Sequence, residues 1–342
     1  MVETVGLENR CTGNRTGGSN PSPSAMQSRN RMDRRMFLNT AAAAAVASTL
    51  HPLSAFASPE EPKIAPMALG LLISPYGAPE DTIKRVRDMG FSNCFLSLDG
   101  YIGKFTRDAA QQISKLLKKY ELLATTVEVV GPEPLAWNFT EGPSTIGLVP
   151  PNTRAARMDA LRQVSDFAKL LGVGQVQTHC GFIPENPADP LYRGTVEAIR
   201  AIAQHCQENG QSFLMETGQE TPTTMSRVIR DANMQNLGVG LDTANLILYG
   251  KANPVDAVEI LGPHVRSVHA KDGKWPTDPS KLGEEVLIGQ GLVDFKKVFT
   301  ALHRFGYTGA ITIERETSGP QQIEDVKNEK LYLEKVLGEV LS

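Results

Sequence analysis

The chain has 342 residues, 41% hydrophobic and 21% charged, with a formal net charge of −3 at pH 7. That length supports one large domain with a well-buried core, and the mild acidity argues against a nucleic-acid groove. Four cysteines with no close spacing argue against a disulfide framework or a C-x-x-C zinc site.

The first 57 residues read as a leader to be set aside before fold reasoning. Arg34-Arg35-Met36-Phe37-Leu38 is a twin-arginine pair with apolar followers, residues 41–50 form a weakly hydrophobic run, and Ala55-Phe56-Ala57 is a small-x-small cleavage site. Removal after Ala57 and export through the twin-arginine route, to the periplasm or beyond, are expected. Residues 1–31 fit neither a signal peptide nor a domain and read as an N-terminal extension, with Met32 the expected true start. The remaining 58–342 carry 29 basic and 35 acidic residues, a net charge of −6. No later stretch is apolar enough to span a bilayer, so no stable membrane insertion is expected after the leader is removed.

Apolar periodicity then alternates along the chain. Strands are expected at 67–74, 91–98 and 122–130, with helices at 80–89, closed by Gly90, and at 105–120. A Pro/Gly-rich loop at 131–151 carries Trp137, and loops of that length in a compact domain are usually lids or binding loops. Asn152 is expected to cap a helix reaching Leu171, followed by a strand at 175–181 with His179 near its end and a helix ending at Asn209-Gly210. Four more strands follow, in SFLMETG, LGVGLDT, VRSVHAKD and GAITIERE, separated by helices at 222–233, 254–261 and 294–305; a helix at 321–341 closes the count. Eight strands alternating with eight helices predict a (β/α)₈ TIM barrel in a single domain. A doubly wound sheet would need a glycine-rich phosphate turn after the first strand, which this sequence lacks.

Each of the last four strands ends in a metal-competent side chain: Glu216, Asp242, His269 and Glu314. Glu216 to Asp242 is 26 residues and Asp242 to His269 is 27, close to the ~30 per βα unit of a ~250-residue barrel. His269 to Glu314 is 45, because a Gly/Pro-rich stretch at 273–292 is inserted. Barrel strands all open onto one face at their C-terminal ends, so residues far apart in sequence converge there. Three carboxylates and an imidazole make an oxygen-rich divalent site suited to Mn²⁺ or Mg²⁺ and tolerant of Co²⁺ or Zn²⁺.

From residue 64 to 341 the chain resembles the xylose-isomerase-like barrels of the sugar (phosphate) isomerase and epimerase superfamily. The matching motifs are Met215-Glu216, Leu241-Asp242-Thr243-Ala244-Asn245, Val268-His269-Ala270-Lys271-Asp272, Gly289-Gln290-Gly291-Leu292-Val293-Asp294-Phe295, and Gly306-Tyr307-Thr308-Gly309 running into Ile313-Glu314. The resemblance implies that Glu216, Asp242, His269 and Glu314 hold one divalent ion and that the two glutamates also work as an acid/base pair. Ketose 3-epimerases of that superfamily usually carry a substrate-binding histidine where this chain has Asn245.

The expected chemistry is proton transfer beside a ketone, with a metal bridging the carbonyl and hydroxyl oxygens and Glu216 and Glu314 facing the sugar from opposite sides. His179, Lys271, Asn245 and Trp137 are candidate substrate contacts; strand alternation puts Lys271 on the same side as His269 and turns Arg315 away from Glu314. The first expectation is an exported metal-dependent isomerase or epimerase of a free keto-sugar or polyol ketone. The alternatives are a lyase or dehydratase acting on 3-keto-glycosides or inososes, and a non-catalytic sugar-binding barrel. An abasic-site endonuclease would need more ligating histidines and a basic groove. The oligomeric state stays open.

Overall fold

The computed structural model describes residues 64–342; the extension and leader expected at 1–57 lie outside the described residues. Eight short strands pair side by side in parallel: β1 (Leu69–Ile73), β2 (Asn93–Ser97), β3 (Leu123–Glu128), β4 (Gln175–His179), β5 (Ser212–Glu216), β6 (Leu237–Asp242), β7 (Val265–Ala270) and β10 (Ile311–Ile313). They close into a barrel in the order β1-β10-β7-β6-β5-β4-β3-β2. Parallel strands need a crossover between neighbours, and here the crossovers supply the helix layer that covers the outside of the barrel.

The helices form where apolar residues recur at helical spacing and a polar residue caps the first turn. In α2 (Arg107–Lys119), Thr106 accepts the Ala109 N–H, and Ala110, Ile113, Leu116 and Leu117 make the buried stripe. Thr221, Asn253 and Asp294 cap α6 (Pro222–Ala232), α8 (Pro254–Leu261) and α9 (Phe295–Arg304) in the same way. The layer is completed by α1 (Pro79–Asp88), α4 (Pro151–Leu171), α5 (Pro190–Glu208) and α10 (Pro320–Leu341).

Three features differ from the sequence expectation. Asn152 does not cap α4: Pro151 occupies the first helical position and Pro150 the cap, because a proline already has helical φ and lacks the N–H that a first turn leaves unpaired. Two one-turn helices, α3 (Gly142–Thr145) and α7 (Asn245–Leu248), lie in connections read as irregular. The stretch after β7 holds an antiparallel hairpin of β8 (Asp272–Lys274) and β9 (Glu284–Val286). Cys94, Cys180 and Cys206 are free and buried. No described helix is long and apolar enough to cross a membrane.

Candidate metal centre and pocket

Side chains alternate along a strand, so residues two apart face the same way. In β5 that alternation leaves Glu216 at the inward-facing C-terminal end, and the register pairs it with His179 on one side and Gly240 on the other. Asp242 is aligned with His269 across β6 and β7, and Glu314 directly follows β10. The four residues offer one donor atom each within 4.8 Å of one another. His269 Nδ1 lies 3.1 Å from Glu314 Oε2 and 3.5 Å from Glu216 Oε1. Ligand atoms bound to one ion at ~2.0–2.3 Å and at right angles stand about 3 Å apart, so the spacing fits a shared divalent ion.

The polar satisfaction of the cluster fits as well. Both His269 nitrogens are buried without a well-aligned hydrogen bond, and Asp242 Oδ2 and Glu314 Oε2 are buried with only the Lys271 ammonium as an ion-pair partner besides the His269 ring. The other oxygens are spent on positioning. Asp242 Oδ1 accepts the N–H groups of Ala244 and Asn245, both at 2.8 Å, which turns Oδ2 inward. Glu216 Oε2 accepts from Gln177 Nε2 at 3.0 Å and Oε1 from Asn245 Nδ2 at 3.3 Å. Gln177 is in turn held by the Ser267 hydroxyl, and it fits because residue 240 is glycine: a Cβ there would lie 2.0 Å from Gln177 Oε1. Phe95 stands edge-on against the His269 ring, centroids 4.5 Å apart.

Charge is crowded here. Burial raises the Glu314 carboxyl, but Lys271 and His269 outweigh it and bring it down to about 2. Glu216, also opposed by burial, is held well below the usual carboxylate range by His179 and His269. Burial pushes Asp242 up to about 8 against the pull of Lys271. Lys271 is 1% exposed; burial disfavours its charge, yet Asp242, Glu314 and Glu316 at 3.0, 3.2 and 2.9 Å keep it an ammonium. Its partners are therefore these three carboxylates. Against its burial, His269 is also raised well above its ordinary value by Glu314 and Glu216; a divalent cation in this cluster would take the place of the protons that Asp242 and His269 otherwise hold.

A second acid group touches the first. Glu128, at the end of β3, shares a site with Glu216 and His179. Burial and the neighbouring Glu216 raise Glu128 well above its ordinary value, while Glu216 is held low. His179 Nε2 lies 3.4 Å from Glu216 Oε1, and Gln219 Nε2 lies 3.1 Å from His179 Nδ1, fixing the ring.

Above these groups opens a cavity of about 280 Å³, walled by Glu128, His179, Asn245, Tyr249 and Glu314, with Trp137 at its edge. Trp137 meets the His179 ring edge-on at 5.1 Å and is 43% exposed. Larger cavities of about 510 and 640 Å³ are lined by Ile64 and the start of β3, but no cluster of metal-competent residues among the described ones lies in them. The chemistry singles out the smaller cavity. Of the candidate residues read from the sequence, Trp137, His179, Asn245 and Glu314 line this cavity; Glu216, His269 and Lys271 are buried against His179, Asn245 and Glu314, and Asp242 against Lys271. Arg315 turns outward, to Asp325 and Glu285. Sequence reasoning missed Glu128, Gln177, Gln219 and Tyr249.

Comparison with known proteins bears on what the site does. A family model described as "Xylose isomerase-like TIM barrel" matches residues 83–336. A xylose isomerase domain protein from Planctomyces limnophilus superposes with a TM-score of 0.76 at 29% identity, covering 81% of this chain and 99% of that one. D-psicose 3-epimerase, solved in the presence of D-fructose, gives 0.60 at 18% identity over 80% of this chain and 100% of its own, a likeness of fold. So does a Mycobacterium smegmatis barrel protein in complex with magnesium, at 0.61 and 18% over 81% and 98%. Among curated proteins, YihM of Escherichia coli strain K12, itself uncharacterized, is 28% identical over 33% of this chain and 37% of its own length. Inosose dehydratase of Geobacillus thermodenitrificans is 25% identical over 35% of this chain and 46% of its own. The chain thus aligns with less than half the length of either curated relative.

Proposed function

Because the chain belongs to the xylose isomerase-like TIM barrel family, we propose that it is a divalent-metal enzyme that isomerises or epimerises a free keto-sugar or related polyol ketone. The observation that carries this reading is the convergence of Glu216, Asp242, His269 and Glu314 within 4.8 Å of one another, beside a small cavity that Glu314 lines. Mn²⁺ is the proposed ion, with Mg²⁺, Co²⁺ or Zn²⁺ as substitutes.

When bound, that ion supplies Lewis-acid polarisation of a substrate carbonyl. The protein supplies the proton traffic. Glu216 is held low by His179 and His269 and Glu314 by Lys271 and His269, so either, as a carboxylate, can take a carbon-bound proton. In an isomerisation it hands that proton to the adjacent carbon; in an epimerisation the other glutamate first takes a proton from solvent, delivers it to the opposite face and is left ionised. Lys271 puts a fixed positive charge 3.2 Å from Glu314 Oε2 and so helps hold that carboxylate in place. Four acidic residues line the cavity, Asp99, Glu128, Glu314 and Glu316, and no lysine or arginine does, which supports a neutral substrate over a phosphorylated one.

A second reading, elimination from a 3-keto-glycoside or dehydration of an inosose, is favoured by one observation: a second carboxyl, Glu128, stands beside Glu216 and His179 in a buried position that raises its pKa, and a leaving oxygen needs a proton donor. The two readings separate in one experiment. Metal-loaded protein is incubated in deuterated water with free ketoses, inososes and 3-keto-glycosides. Isomerisation gives a product of equal mass apart from deuterium gained beside the carbonyl; elimination releases water or an aglycone. Tight sugar binding with neither outcome identifies a sugar-binding barrel. Failure to retain a divalent ion removes the proposal.

A further inference from the structure

Three loops meet on the ring of Tyr249. This residue follows the one-turn α7, and its backbone N–H donates to the Asn245 carbonyl at 2.9 Å. Four residues apart on a helical turn, Asn245 and Tyr249 share one face, and both line the cavity. The Tyr249 ring is 3% exposed. Phe139, from the loop after β3, and Phe182, from the loop after β4, meet it edge-on with centroids 6.3 and 5.7 Å away. Behind it lies Gly218, after β5, where a Cβ would already be 3.4 Å from the ring. Packing therefore fixes where the hydroxyl points.

That hydroxyl donates no hydrogen bond among the described residues. Gln219 lies beside it with one amide N–H engaged with His179 Nδ1 at 3.1 Å and the other able to reach the phenol oxygen as a donor, so what stays unpaired is the O–H proton, which has no acceptor among the described residues. A buried hydroxyl is expensive to leave unpaired, so one that lines a cavity is placed to be completed by what enters. The neighbouring Glu314 and Glu316 offer acceptors, and Tyr249 adds a donor to those of Ser97, Trp137, His179 and Asn245 on the wall. Asn245, one turn earlier on the same face, has an amide N–H committed to Glu216.

We propose that Tyr249 is a substrate-binding residue whose phenol donates a hydrogen bond to a non-reacting hydroxyl of a ring sugar or cyclic polyol ketone. The inference rests on the carbohydrate reading above and adds to it the residue that selects the substrate. A cavity of about 280 Å³ is at the lower end of ligand-binding pockets, about 300–1,000 Å³, and suits a single ring.

The test is Tyr249→Phe, which removes one oxygen and keeps the ring packing. Binding of a free ketohexose, an inosose and a methyl 3-keto-glucoside to the manganese-loaded wild type and variant is measured by calorimetry. The variant should bind the tightest of the three roughly 5–10-fold more weakly, the weight of one neutral hydrogen bond, with unchanged metal content and melting temperature. Analogues of that ligand lacking one hydroxyl at a time should include one that costs the wild type the same factor and the variant nothing. Equal binding by wild type and variant overturns the proposal, as does a variant that loses metal or melts earlier, since the phenol would then be structural. If the wild type binds none of the three at millimolar concentration, the carbohydrate reading itself falls and takes this inference with it.

Discussion

Both oxygens of Glu216 are held before any substrate arrives, one by Gln177 and one by Asn245. A carboxylate fixed this way loses little freedom when it acts, which is what a base in a proton transfer requires. Replacing Glu216 or Glu314 by Gln keeps the shape and one oxygen but removes the proton acceptor. Turnover is expected to fall by roughly 10²–10⁴-fold, the weight of a positioned acid or base. Metal content measured on the same samples separates lost catalysis from lost metal, and near-normal turnover with metal retained would show that the glutamates are ligands only. These four donors could be read from sequence because each ends an apolar run and the runs recur at βα spacing. Glu128 and Gln177 could not, because their importance lies in which strands β3 and β4 pair with, and a one-residue change of register would turn them away. Tyr249 escaped for another reason: α7 is a single turn, too short to give a periodic signal.

Among the elements, the hairpin between β7 and α9 depends most on one residue. Asp272 is fully buried, and its two oxygens accept the N–H groups of Gly273, Gly289, Gly291 and Val293 at 2.8–3.1 Å. Residue 291 must be glycine, since a Cβ would lie 2.1 Å from Asp272 Oδ1. The Gly-Gln-Gly motif thus curls around a carboxylate. Asp272→Ala leaves several of these N–H groups unpaired at ~1–3 kcal/mol each, so a loss of roughly 3–5 kcal/mol in a urea melt is expected. The substrate KM should rise too, because Leu282 of the hairpin lines the cavity; a change within about 0.5 kcal/mol, the range of an ordinary surface substitution, would contradict this role. The long barrel elements were legible from periodicity, whereas β8 and β9 have three residues each and take their order from Asp272 and from Arg315, which ties Glu285 to Asp325 of α10.

At the scale of the whole molecule, one buried acid sets a pH dependence. Glu220 is 2% exposed, neither of its oxygens has a partner, and burial pushes its carboxyl up to about 8. An acid raised by folding holds its proton more tightly in the native state, so its contribution is full below the unfolded value of 4.5 and is lost as pH rises through about 8. Glu220→Gln is expected to melt like the wild type near pH 5 and clearly above it near pH 9; parallel curves would refute the assignment. Export is tested separately: replacing Arg34 and Arg35 by Lys should hold the folded protein in the cytoplasm, and unchanged export would mean another route. The loop bearing Trp137 has a consequence for redesign. Arg157, 1% exposed, donates to the carbonyls of Pro132, Pro134 and Gly147, and Arg154 to those of Leu148 and Val149. The cavity's aromatic edge is therefore hung from the first turns of α4. The natural cassette for transplanting a new specificity into this barrel is residues 131–171, loop and helix together, since a loop swapped alone would arrive without its hooks.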